Sequence, residues 1–175
     1  MNKNRLSVVA ILSYGLLGLN GCAAEPAISS GNSEVQQKEL LTNGKFSGTD
    51  GWWAAGAKLQ SADNMGCITF SRQGKNPWDV ILGQSGLALK KGENYQLQFS
   101  ALAKQPTNVK ALVQHDGAPY TSHLVEDISL SQELKPFQFS FKPLSNDNKV
   151  QFQFQMGTEE PTTVCVKDVS IIGPK

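Results

Sequence analysis

The amino-acid sequence predicts an all-β fold, a single-domain β-sandwich of the jelly-roll type, on three observations. Short runs alternate between apolar and polar residues, clusters of turn-forming residues separate them, and no stretch beyond residue 38 carries a convincing helical period. The chain of 175 residues is long enough for one domain with a core and too short for two ordinary ones. A closed barrel is the alternative architecture.

Residues 1–21 stand apart from that fold. Lys3 and Arg5 precede an uncharged apolar stretch over residues 6–19, the n-region and h-region of a secretory signal peptide. The stretch falls short of the ~20 residues that a membrane-spanning helix needs. It ends in Leu19-Asn20-Gly21-Cys22, which resembles the lipobox of bacterial lipoproteins, where the cysteine is lipidated and becomes the new N-terminus. Asn20 departs from the small or hydroxyl residue usual there. The competing reading is ordinary cleavage beside Cys22-Ala23-Ala24, which releases a soluble protein. Three cysteines in an exported chain leave one unpaired. With Cys22 acylated, Cys67 and Cys165 remain as a disulfide pair. Such a bridge closes a loop of ~98 residues, for which chain entropy gives about 4 to 5 kcal/mol. Two buried free thiols are the alternative. Residues 22–38 are polar and small without an apolar period and read as a flexible tether, leaving 39–175 as the folded domain.

Within that domain strands are expected over residues 40–46, 67–71 and 79–82. Tyr95-Gln96-Leu97-Gln98-Phe99 then alternates, followed by residues 109–115, Phe137-Gln138-Phe139-Ser140-Phe141 and a last strand over 164–172. Val150-Gln151-Phe152-Gln153-Phe154-Gln155-Met156 alternates strictly. Successive side chains of a strand point to opposite faces, so Val150, Phe152, Phe154 and Met156 share one face and three glutamines the other. Reversals are expected at Lys91-Gly92-Glu93-Asn94, Asp116-Gly117-Ala118-Pro119 and Ser145-Asn146-Asp147-Asn148.

Composition narrows the function. The 16 basic and 15 acidic residues include Lys3 and Arg5 of the leader, so the mature chain is within about one charge of neutrality. Lys and Arg are scattered, which argues against nucleic acid. The Glu residues of the mature chain lie in the tether, in turns or beside prolines, so no pair of strand carboxylates presents itself for glycoside hydrolysis. His115 and His123 are the only histidines, too few for a His-rich metal site. The chain is not expected to be an enzyme.

Gln151, Gln153 and Gln155 form a row of amides, each able to donate and accept as a sugar hydroxyl does. The bland alternative is a solvated outer face. Trp78 and Tyr120 each follow a proline-containing turn and lead toward a strand. They suit either a flat platform for the C–H face of a sugar or a cap on the core, and at least one of Trp52 and Trp53 is expected to be buried.

Taken in order, these pieces resemble the carbohydrate-binding modules of families 4 and 9, related to family 22. The resemblance runs from Leu40-Leu41-Thr42-Asn43-Gly44-Lys45-Phe46 and Asp50-Gly51-Trp52 through Asn76-Pro77-Trp78-Asp79-Val80, Leu89-Lys90-Lys91-Gly92-Glu93-Asn94-Tyr95 and Gly117-Ala118-Pro119-Tyr120. It closes with Phe154-Gln155-Met156-Gly157 and Val166-Lys167-Asp168-Val169-Ser170-Ile171. It implies a jelly roll whose concave face holds a single β-glycan chain. Trp78 and Tyr120 would stack on sugar rings, Gln151 and Gln155 would bond to hydroxyls, and Lys110 and Asp116 would line the groove where some members carry Arg and Asn. Ala55 stands where some glucan binders have a second stacking Tyr. Cys67 and Cys165 match a disulfide known in part of the family. No cofactor is expected. Some members hold a structural calcium near the N-terminal and last strands, where this chain has Lys45 and Lys167 before Asp168.

The expected function is therefore non-catalytic capture of β-glucan, or alternatively xylan. The expected partners are the polysaccharide or oligosaccharide and, through the lipid, the membrane. The protein is expected to be exported, monomeric and anchored to the cell envelope, with Ala23 after Cys22 compatible with outer-membrane sorting. An envelope β-sandwich for protein–protein interaction and a small glycoside hydrolase are the competing functions.

Overall fold

Apolar residues at every second position can be buried only if one strand face meets another, and two antiparallel sheets supply the partners here. The computed structural model describes residues 36–175, so the signal peptide, Cys22 and most of the stretch read as tether lie outside the described residues. The strands are β1 (Gln37–Glu39), β2 (Trp53–Ala55), β3 (Lys58–Ala62), β4 (Met65–Thr69), β5 (Ile81–Leu89), β6 (Tyr95–Ala103), β7 (Thr107–His115), β8 (Ser122–Leu130), β9 (Lys135–Phe141), β10 (Asp147–Gln155) and β11 (Thr163–Pro174). A 3-10 turn over Pro77–Asp79 is the one helical element among the described residues. One sheet has the order β3-β4-β11-β6-β9, with β1 added on β11, and the other β2-β5-β10-β7-β8. The expected β-sandwich is present, and the chain crosses repeatedly from one layer to the other, as in a jelly roll.

The core lies between the layers. Val150, Phe152 and Phe154 are buried on the inner side of β10, and Met156 just beyond its end, as the alternation predicts, and Tyr95, Leu97 and Phe99 are buried on β6. Phe99 meets Phe154 edge-on at 4.9 Å, which joins the two sheets, and Phe154 meets Phe152 at 4.7 Å. Trp52 is buried beside Phe46 and Phe152, with ring centroids 4.8 and 6.3 Å away. Its Nε1 donates to the Asn43 carbonyl at 3.1 Å, which satisfies the polar edge that burial would otherwise strand. Cys67 and Cys165 sit directly opposite on β4 and β11 and are disulfide-bonded, with Cα atoms 4.1 Å apart.

The structure corrects several boundaries. Residues 40–46 form a loop and not a strand, because Asn43 and Phe46 both adopt φ of 50°, which no strand tolerates. The Gln84 side chain clasps that loop, accepting from Thr42 N at 2.7 Å and donating to Thr42 O at 2.9 Å. Gln37 and Lys38, read as tether, belong to β1, which pairs with Ile172, Gly173 and Pro174. Backbone pairing holds that strand, so it needs no apolar alternation. Of residues 79–82 only Ile81 and Leu82 are strand, and Asp147 and Asn148, expected in a reversal, already belong to β10. β2, β3 and β8 were not expected at all.

Candidate functional site

The outer face of the five-stranded sheet is built by register. Gln155 lies between Ile81 of β5 and Lys110 of β7, Gln153 between Gly83 and Leu112, and Gln151 between Ser85 and Gln114. Partners in register point to the same side, so these residues form three rows across a common floor. The three glutamines are only 5%, 4% and 7% exposed for Gln151, Gln153 and Gln155. Gln155 Nε2 donates to Gln153 Oε1 at 2.6 Å. Among the described residues no buried side-chain N or O atom lacks a hydrogen-bond partner, so the amide capacity left over faces the space above the floor.

A wall rises at each end of β10. Beyond its C-terminal end, the Pro77–Asp79 turn carries Trp78. Met156 N donates to Val80 O at 3.0 Å and Gly157 N to Pro77 O at 2.7 Å, which docks the turn there. A Cβ on Gly157 would fall 2.3 Å from Asn76 O, so only glycine allows this approach. Asp79 locks the turn by accepting from Lys75 N at 2.7 Å and Asn76 N at 3.0 Å. The backbone N–H groups of Asn76 and then Lys75 hold its carboxyl below the usual carboxylate range. Trp78 itself is 58% exposed.

Beyond the N-terminal end of β10, the turn between β7 and β8 carries Tyr120. Tyr120 N donates to Gly117 O at 2.7 Å, and His115 N to Thr121 O at 2.8 Å. Tyr120 has a φ of 57°, a left-handed conformation that a bulky residue adopts only when its surroundings impose it, and such outliers gather at functional sites. It is 56% exposed. Asp147 anchors this end. Its carboxylate accepts from His115 Nδ1 at 3.0 Å, His123 Nε2 at 3.0 Å and Lys149 N at 3.0 Å. Burial is the largest single influence on that carboxyl and pushes it up, but the bonds from His123, the Lys149 backbone and His115 together carry it below the usual range.

Between the walls is a cleft of about 700 Å³ lined by Trp78, Tyr120, Lys110, Asp116, Gln151 and Gln155, so the structure brings all six sequence-predicted residues together. Pro77, Ile81, Leu112, Gln114 and Gln153 line it as well. Of these, Gln153 stood in the expected amide row, and the alternation of 109–115 places Leu112 and Gln114 on the side of Lys110. Ile81 and Pro77 carry no signal of their own. The Lys110 ammonium is paired with Asp127 on β8. The bland alternative for the glutamines does not hold, since they are enclosed by the cleft and not spread on an open outer surface.

Among the described residues no group of three His, Cys, Asp or Glu is placed to hold a metal ion. Near the first and last strands, Glu39 accepts from Leu41 N at 2.9 Å, Ile171 N at 3.0 Å and Ser170 Oγ.

The sequence profile of the family described as carbohydrate binding domain, of the 4 and 9 type, matches residues 38–163. This chain belongs to that family. The carbohydrate-binding domain is 27% identical over 177 aligned residues to endoglucanase C of Cellulomonas fimi, a match that takes in 94% of this chain and 15% of that protein. It therefore spans a small fraction of this curated relative. A solved CBM4 domain superposes with a TM-score of 0.70 at 23% identity, covering 77% of this chain and 99% of the other. The N-terminal cellulose-binding domain of the Cellulomonas fimi β-1,4-glucanase C superposes with a TM-score of 0.63 at 26% identity, covering 71% and 89%. Glycan binding is the function of this domain, and rings flanking an amide floor are groups suited to it: flat apolar surfaces for sugar C–H faces and donor–acceptor groups for hydroxyls.

Proposed function

We infer that the cleft holds a single β-linked glycan chain, β-glucan ahead of xylan, and leaves it chemically unchanged. The observation that carries this is the pair of exposed rings, Trp78 and Tyr120, standing at opposite ends of a floor of enclosed amides. A chain running across the strands is gripped between the rings while its hydroxyls meet the amides. Among the described residues Asp116 is the only carboxylate on the cleft lining, whereas hydrolysis needs two. The name of the similar Cellulomonas fimi domain, cellulose-binding, supports β-glucan. Acylation of Cys22 would attach the domain to the envelope of the exporting cell, as a monomer that raises the local concentration of glycan.

Titration of tryptophan fluorescence with linear oligosaccharides, followed by a reducing-sugar assay on whichever binds, tests this reading. A spectral shift without product is expected. No shift with any β-glycan overturns the ligand assignment, and release of product overturns the non-catalytic reading.

A further inference from the structure

Trp53 stands on β2 at the edge of the cleft sheet, directly opposite Gly83 of β5, which is itself opposite Gln153 of β10. Its indole therefore shares the face that carries the amides. The ring lies down on that face: a Cβ built on Gly83 would fall 2.6 Å from Trp53 Cζ2 and 2.9 Å from Cε2. Nε1 donates to Ser85 Oγ at 3.3 Å, which fixes the ring's rotation. Covering a bare glycine requires only apolar bulk. Here the glycine sinks a flat ring to the level of the floor, the hydroxyl tethers its polar edge, and the half-buried side chain keeps surface toward solvent.

We propose that Trp53 is a further sugar-stacking platform, extending the cleft to the β2 edge for longer linear β-glycans. The proposal rests on the reading of the cleft as a glycan site. β2 is two strand spacings, ~10 Å, from β10, so the sugar over Trp53 is a different one from the sugar over the amides. The walls at the ends of β10 leave the edges of the sheet as the way out for a bound chain, and Trp53 lies on that route. It also supplies an aromatic surface on the strand where Ala55 offers none.

The full chain is titrated with a ladder of linear β-linked gluco-oligosaccharides, from the disaccharide to the hexasaccharide. Trp53→Ala is expected to lose about tenfold in affinity for the longest oligomer and nothing for the shortest that binds, flattening the dependence on length. Ser85→Ala, which frees the indole N–H without removing the ring, is expected to give part of the same loss. In the unaltered protein the Trp53 indole N–H resonance, assigned by its disappearance in Trp53→Phe, should shift with the long oligomer and not with the short one. An equal loss at every length, or an indole signal indifferent to the hexasaccharide, overturns the platform while leaving the cleft intact. Failure of every oligomer to bind the unaltered protein overturns the glycan reading and this one with it.

Discussion

Both sheets present glutamines outward, and the two faces meet different fates. On the six-stranded sheet Gln96 faces out beside Ser140, and Gln98 beside Gln138. On the five-stranded sheet Gln151, Gln153 and Gln155 do the same beside Gln114, Leu112 and Lys110. The first set lies half-buried or exposed to water, and the second is enclosed. Chemistry and alternation are alike, so neither makes the site. Position does: β6 and β9 lie toward one side of their sheet, with β9 at its edge, whereas β10 lies at the centre of its sheet with a turn carrying an exposed ring beyond each end. A polar row becomes a binding floor when walls are raised around it.

Removing the disulfide tests whether the two faces are separable, and carries the largest expected effect. Cys67→Ser with Cys165→Ser should lower unfolding stability by about 2 to 5 kcal/mol in urea denaturation. Affinity of the remaining folded protein should stay unchanged, because the bridge belongs to the sheet without the cleft. Removing a wall should do the reverse. Trp78→Ala or Tyr120→Ala should weaken binding by about 1 to 3 kcal/mol in calorimetric titration, with thermal stability retained since both rings are exposed. The glutamines compare the faces directly: Gln155→Ala should cost about 1 kcal/mol of binding, whereas Gln98→Ala should change it by no more than about 0.3 kcal/mol. Equal effects of the two substitutions would erase the distinction between the sheets.

The smallest expected effect is acid sensitivity at the Tyr120 end. Because the Asp147 carboxyl sits below its ordinary value in the folded state, its contribution to stability is complete above the unfolded value near ~3.9 and is lost as pH falls through the lower folded value. Asp147→Asn should therefore remove part of the stability loss seen below about pH 4 in urea titrations.

Legibility followed the strength of each pattern. β10 reads clearly because four apolar and three amide residues alternate without a break. β8 is hidden because Val125 points outward and Glu126 inward, reversing the rule at its midpoint. β2 is three residues long, and β3 has Leu59 as its one large apolar residue. The loop over 40–46 looks apolar enough for a strand, but the clasp that bends it comes from Gln84, far along the chain. The cleft residues could be placed together from a resemblance and an alternation. Trp53 could not, since its role depends on a glycine opposite it in a register that only the folded sheet defines.

The bond between Cys67 and Cys165, 98 positions apart, has a further consequence. Every residue of the cleft, from Pro77 to Gln155, lies inside the span it closes. A single cut at any exposed tip within that span, the Gly117–Tyr120 reversal included, leaves two pieces that are still one molecule. The cleft thereby stays on one covalent molecule after a nick that would divide an open chain.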